Sequence, residues 1–221
     1  MEHTDTKQRK REFCTLALTG GSGAGKGCVG AILEKNGIPV LDTDRVSRLV
    51  CEKGQPCLQK LSEAFGEDIL YPAGDEHAFA LNRKKLAALV FGEEDPQKRV
   101  EKQATLNRIT HAYILDYCRD WLREKKEAGF LCACIDAPQL FESGFDKECD
   151  FIIGVTADRT VRIARIMARD GISREMAEKR IAAQHDDAVF EKNCDMVLSN
   201  NSTPAALEET VRGLLSEKGF I

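Results

Sequence analysis

Short apolar runs alternate with stretches of helical period along this chain. Phe13–Leu18 is an apolar run followed at once by glycines. From Lys26 the apolar positions Val29, Ile32 and Leu33 fall at helical spacing, and Asn36-Gly37 closes the segment. Ile38–Leu41 reads as a short second strand ended by Asp42. Pro56–Phe65 and Asn82–Phe91 read as short helices, with a turn-rich join at Tyr71–Asp75. Asp95-Pro96 then opens a long helix, with Asp as its cap and Pro at the first position. The pattern runs to Glu127 and closes at Gly129, a length that predicts a break or an arm extending from the core. Phe130–Ile135 and Asp150–Val155 are continuous apolar runs, the signature of buried parallel strands. Asp158–Asp170 and Ser173–Gln184 read as helices, Met196–Leu198 as a last strand, and Pro204–Lys218 as a closing helix. Strands alternating with helices predict an α/β three-layer sandwich with a central parallel sheet.

Composition narrows this picture. The chain has 221 residues, which sets an expectation of one to two domains. Apolar residues make up 43% and charged residues 31%, so the chain as a whole is not disordered. The net charge of −4 argues against a general nucleic-acid coat. No run approaches the length of a membrane span. Met1–Glu12 is polar, and its Lys7, Arg9, Lys10 and Arg11 lead into no apolar signal core, so it reads as a solvated tail. The nine cysteines are odd in number, scattered, and without a C-x-x-C pair. They suit reduced, buried thiols in a cytoplasmic protein better than a disulfide framework or a metal site.

One motif carries chemistry. Gly20-Gly21-Ser22-Gly23-Ala24-Gly25-Lys26-Gly27 satisfies G-x4-G-K, directly after an apolar strand and at the start of an apolar-periodic helix. That is the context of a phosphate loop: glycines turn backbone N–H groups toward an anion, and the helix N-terminus adds positive potential. Lys26 can then reach the outer phosphates. The alternative is a glycine-rich βα turn without nucleotide. The hydroxyl that usually follows the lysine, and usually ligates Mg²⁺, is absent: Gly27 stands there and Cys28 follows. Mg²⁺ leans on phosphates and water, so metal binding through these does not require that hydroxyl.

Asp42-Thr43-Asp44 ends the second strand, where such sheets face ligand. One of the two carboxylates is expected to cap the next helix and the other to orient an attacking hydroxyl. Arg159, Arg162, Arg165 and Arg169 step along one helix face, with Arg174 and Arg180 beyond. They read either as a basic lid that closes over phosphates or as a solvated face of Arg–Glu pairs. Asp136 resembles the strand-end metal ligand of switch GTPases, but no N-K-x-D element accompanies it, and a strand-terminating polar residue is the plainer reading.

From Phe13 onward the chain resembles the dephospho-CoA kinase family. The resemblance rests on LTGGSGAGKG, VLDTDRVSRLV, Phe65-Gly66, LNRITH, APQLFESG, RDGISREMAEKRIAAQ and DMVLSNN, in that order. It implies a P-loop, nucleotide-kinase-like fold that transfers the γ-phosphate of ATP to the 3′-hydroxyl of dephospho-CoA. Mg²⁺ would be held mainly through phosphates and water. It implies a core (about 13–45, 128–160 and 195–221), a helical CoA-binding part (about 46–127) and a lid (about 161–194). By the same resemblance Asp44 activates the hydroxyl, with Lys26, Arg165 and Arg169 as further catalytic residues. Gly21, Ser22, Gly23, Ala24, Gly25, Lys26, Gly27, Cys28 and Asn200 would hold the nucleotide. Asp44, Arg48, His111 and Glu142 would hold the acceptor. Four departures accompany Gly27: Ala112 replaces a proline, Gln139 an apolar residue, Phe190 a basic one and Ser202 a glycine. Two other readings stand beside the kinase: a kinase of another small acceptor, and a degenerate member that binds nucleotide or CoA with weak or no catalysis.

Overall fold

Each apolar run becomes a strand of one sheet in a computed structural model, which describes residues 12–184 and 187–221. The cationic cluster of the N-terminal tail lies outside the described residues. The strands are β1 (Cys14–Gly20), β2 (Val40–Asp42), β3 (Cys132–Asp136), β4 (Phe151–Thr156) and β5 (Met196–Ser199), in the order β2-β3-β1-β4-β5. The strands run parallel, so helical crossovers connect them even where consecutive strands such as β4 and β5 are neighbours. The helices are α1 (Lys26–Lys35), α2 (Thr43–Leu49), α3 (Pro56–Phe65), α4 (Arg83–Phe91), α5 (Pro96–Glu127), α6 (Leu140–Ser143), α7 (Arg159–Asp170), α8 (Arg174–Ala182), α9 (Asp187–Asn193) and α10 (Pro204–Glu217).

The chain forms two compact units. The first comprises residues up to Val40, Leu122–Cys134 and Glu148–Ile221. Its strands alternate strictly. Leu16 and Leu18 of β1 lie in register with Phe151 and Ile153 of β4, and Val155 with Leu198 of β5. These side chains share one face, where Val29 and Leu33 of α1 and Leu207, Val211 and Leu215 of α10 cover them. The opposite face carries Ala17, Gly154 and Val197, residues of one register row or the next. There Phe190 and Cys194 press on Gly154, leaving no room for a Cβ.

The second unit comprises Leu41–Trp121 and Ile135–Lys147. Its core is Val46, Val50, Cys57, Leu61, Ile69, Leu86 and Val90, against which Leu106, Ile109, Tyr113 and Ile114 of α5 pack. The turn-rich join is a small loop closed by an antiparallel bridge between Leu70 and Leu81.

Of the two outcomes expected of the long helix, the break does not occur. α5 runs unbroken for 32 residues. Asp95 caps it through the N–H groups of Gln97 and Lys98, at 2.9 and 3.4 Å. Ala112, where a proline would remove an N–H and clash with the preceding turn, lets the ladder continue. Two further helices, α2 and α9, have too few apolar positions to announce themselves by period.

Leu18 is fully buried in the central strand of the first unit. Leu18→Ala is expected to lower stability by about 2–5 kcal/mol, read as a lower guanidinium midpoint.

Candidate functional site

The loop between β1 and α1 has the backbone of an anion receptor. Gly23 and Gly25 take φ values of 77° and 95°, with Ala24 between them. This alternation of hand turns successive N–H groups the same way. Ala24 N–H donates to Gly21 O at 3.1 Å and Cys28 N–H to Gly25 O at 2.9 Å, which tightens the turn into α1. Gly25 is the N-cap of α1, and Lys26 is its first residue.

Carbonyls that point away from such a receptor need donors, and arginines supply them. Arg162 of α7 is only 4% exposed. Its Nε donates to Ser22 O at 3.0 Å, Nη2 to Gln184 Oε1 at 3.0 Å and Nη1 to Asp187 Oδ1 at 3.3 Å. Three acceptors offset the cost of burying this charge. Gln184 Oε1 also accepts the N–H of Ser22 at 2.9 Å, so both polar groups of that residue's backbone are gripped by α7 and α8's C-terminal extension. Arg165 Nη1 donates to Gly23 O and Ala24 O, both at 3.3 Å, and its Nη2 to Asn200 O at 3.1 Å. Asn200, also 4% exposed, donates from Nδ2 to Ala24 O at 2.8 Å.

The glycines follow from this grip. A Cβ on Gly21 would strike the Arg162 guanidinium, one on Gly23 the Arg162 carbonyl, and one on Gly25 the Asn200 amide. Gly27 differs: nothing lies within 4 Å of its Cβ direction. Gly27 and Cys28 are both exposed.

The arginine row thus divides. Arg162 and Arg165 turn inward to the loop. Arg169 pairs with Asp170 at 2.8 Å and brings Nη2 to 3.4 Å from Ser22 Oγ. The Asp170 carboxyl is held below its ordinary value by the Arg169 hydrogen bond, with help from Arg180. Arg174 pairs with Glu178 on the surface. Sequence spacing does not distinguish these fates. The signal for Arg162 was its place beside Ile163 and Ile166 on the buried side of α7.

The second unit holds a cavity of about 440 Å³. Its wall is mainly apolar, with a polar set that includes Asp44, Ser47, Arg83, Asn107, His111 and Gln139. Asp42 caps α2 by accepting the N–H of Asp44 at 2.8 Å, which leaves the Asp44 carboxylate on the cavity wall. Thr43 Oγ1 donates to the carbonyl of Asp136 at 3.1 Å and fixes the start of α2 to the end of β3. His111 Nε2 lies 3.1 Å from Gln139 Oε1. An amide oxygen only accepts, so this contact assigns the proton to Nε2.

Arg48 and Glu142 are not on this wall. Arg48 is exposed in the last turn of α2, and Glu142 lies in α6. Arg83 brings a cation to the wall, and its Nη2 reaches the carbonyl of Arg48 at 3.5 Å. Sequence reading missed Arg83 because it sits at the first position of α4, where a basic residue reads as solvated.

No group of three or more His, Cys, Asp or Glu side chains among the described residues could cage a metal ion. With Gly27 after the lysine, the loop offers no hydroxyl at that position. Among the described residues these features build no Mg²⁺ cage from protein side chains. Among the described residues no helix is long and apolar enough to cross a membrane.

A parallel sheet with a glycine loop and lysine at the strand–helix turn defines a P-loop phosphotransferase of the nucleotide-kinase type. A family model described as dephospho-CoA kinase matches residues 14–205, and the chain belongs to that family. A dephospho-CoA kinase of Corynebacterium glutamicum is 37% identical over 202 residues, covering 91% of this chain and 96% of the relative. One from Geobacter sulfurreducens is 34% identical over 203 residues, covering 92% and 98%. Among solved structures, TT1252 from Thermus thermophilus superposes with a TM-score of 0.73 at 29% identity, over 93% of this chain and 98% of that one. Dephospho-CoA kinase from Campylobacter jejuni shares the fold, with a TM-score of 0.67 at 21% identity, over 95% and 100%.

Two substitutions in the loop should behave oppositely. Gly25→Ala forces a side chain onto a left-handed φ and displaces Asn200, and is expected to weaken ATP binding at least roughly tenfold. Gly27→Ser enters open space in a helix's first turn. It should keep ATP binding and gain about 0.5 kcal/mol of stability, both readable by thermal shift with and without nucleotide.

Proposed function

We propose that this chain transfers the γ-phosphoryl group of ATP to the 3′-hydroxyl of dephospho-CoA, giving CoA and ADP. The observation that carries the reading is the Asp44 carboxylate on the wall of the 440 Å³ cavity, with Asp42 committed to the helix cap.

Phosphoryl transfer passes through a loose transition state, so positioning and charge matter more than base strength. In this reading the loop amides and Lys26 hold the donor's phosphates and stabilise charge as the bond to the leaving oxygen lengthens. Asp44 accepts a hydrogen bond from the acceptor hydroxyl, orients it and takes its proton as the new bond forms. His111, its Nε2–H committed to Gln139, offers the acceptor its unprotonated Nδ1 as a hydrogen-bond acceptor from the same wall. Arg83, on the cavity wall, meets acceptor phosphate beside Arg48, which the family resemblance places at the acceptor. Arg162, Arg165 and Asn200 act through the loop, as positioning residues that hold its amides in place. Arg169, anchored only by Asp170 and the edge of Ser22, is the arginine of α7 assigned to the transferring group. Mg²⁺, when bound, would neutralise phosphate charge and would be held mainly through the nucleotide's phosphates and water. The nine cysteines, all unbonded, support a reducing, cytoplasmic setting.

Purified protein with ATP and Mg²⁺ is expected to release ADP with dephospho-CoA and not with AMP or without acceptor. Lys26→Ala and Asp44→Asn should each lower kcat by about 10²–10³, Asp44→Asn with little change in the dephospho-CoA KM. Release with a different acceptor would reassign the substrate. No release with any acceptor, from folded protein that binds ATP, would establish a degenerate nucleotide-binding member and overturn the proposal.

A further inference from the structure

Two thiols meet beneath the acceptor cavity. Cys51 follows the end of α2, and Cys57 lies in the first turn of α3, six positions on. Their sulfurs are 3.7 Å apart, in contact and unbonded. Both belong to the buried core of the second unit, Cys57 at 0% exposure and Cys51 at 4%, and of the two only Cys51 lines the cavity. The segment between them contains Gly54 at φ 87°, a turn that brings the two helix ends together. An entering molecule therefore meets Cys51 first, and Cys57 stands behind it.

We propose that Cys51 and Cys57 are a redox-active dithiol that closes to an intramolecular disulfide by exchange with a low-molecular-weight disulfide entering the cavity, and that closure weakens acceptor binding. The Cys51 thiolate attacks one sulfur of the entering disulfide. A mixed disulfide forms, and the first half leaves as a thiol. The Cys57 thiolate then attacks Cys51 Sγ, and the second half leaves as a thiol. Two protein thiols are oxidised and one small disulfide is reduced to two thiols, which carry away both protons.

The order of attack follows from the surroundings. The hydrogen bond from Cys57 holds the Cys51 thiol below its ordinary pKa, with help from the Arg83 cation and against burial. The same contact and burial push Cys57 up. Cys51 is thus the attacking thiol and Cys57 the resolving one.

Closure has a mechanical consequence. The sulfurs must move from 3.7 Å to about 2.05 Å, drawing the end of α2 toward α3. Asp44 and Ser47, on the same short helix, lie on the cavity wall and move with it. The consequence for binding rests on the acceptor reading above; the thiol chemistry does not.

The test treats the full reduced chain with 2-hydroxyethyl disulfide, then maps peptides under non-reducing conditions and titrates dephospho-CoA by calorimetry. A Cys51–Cys57 linkage is expected, with at least a roughly tenfold rise in Kd that dithiothreitol reverses. Cys57→Ala should bind dephospho-CoA normally when reduced and stop at a mixed disulfide on Cys51. Adducts confined to Cys28 or Cys118, or a Cys51–Cys57 linkage that leaves Kd unchanged, would overturn the inference and leave the kinase reading standing. Failure of the reduced protein to bind dephospho-CoA would sink the acceptor reading and the binding consequence, while peptide mapping still decides the exchange.

Discussion

A backbone that offers its N–H groups to an anion must turn its carbonyls elsewhere, and those carbonyls need donors of their own. That constraint organises the first unit. Ser22, Gly23 and Ala24 present their carbonyls to Arg162, Arg165 and Asn200. The donors come from a helix and a strand end far along the chain, so the loop's shape depends on elements some 140 to 176 residues away. The glycines of the motif answer two demands at once. Gly23 and Gly25 supply the left-handed backbone, and Gly21, Gly23 and Gly25 leave room for the supporting side chains. α7 buries Ile163 and Ile166 against Ala177 of α8 and turns Arg162 and Arg165 onto the loop.

The second unit solves a different problem, holding a polar set on an apolar wall. Each group there is fixed by a neighbour that takes up its other bonding capacity. Asp42 satisfies the N–H of Asp44, Thr43 satisfies the carbonyl of Asp136, and Gln139 faces His111. The cavity wall thus carries a carboxylate, an imidazole whose ring Gln139 orients, and a guanidinium.

The fold was legible where physical signals were strong and local. Pro56 and Pro96 mark helix starts, Asn82, Ser173 and Thr203 cap their helices, and the strand runs are apolar on both faces. α2 was legible from its Asp42 cap and not from its period, because only Val46 of its seven residues is buried. The glycine loop was legible because its spacing is fixed by backbone geometry. The support behind it was not. Arg162 and Arg165 look the same as Arg169 and Arg174 in sequence, since what separates them is burial against a segment far away in the chain. Arg48 and Arg83 show the same limit. Both are basic residues at helix ends, and only the packing of α2 against α4 decides which one faces the cavity.

Four departures from the family pattern that the sequence resembles have a local structural reading. Ala112 keeps the hydrogen-bond ladder of α5 that a proline would cut. Gln139, in place of an apolar residue, sits 3.1 Å from the imidazole of His111, so the change adds a partner on the cavity wall instead of burying an orphan amide. Phe190 fills space under the sheet that exists only because residue 154 is glycine; its Cβ is 3.3 Å from where a Cβ at 154 would stand. Gly27 removes a hydroxyl from a position that touches nothing else in the chain. Its loss therefore leaves the loop's geometry untouched and alters only what the loop can offer a ligand. A substitution that damaged the receptor would have to fall on Gly21, Gly23 or Gly25, and all three are kept.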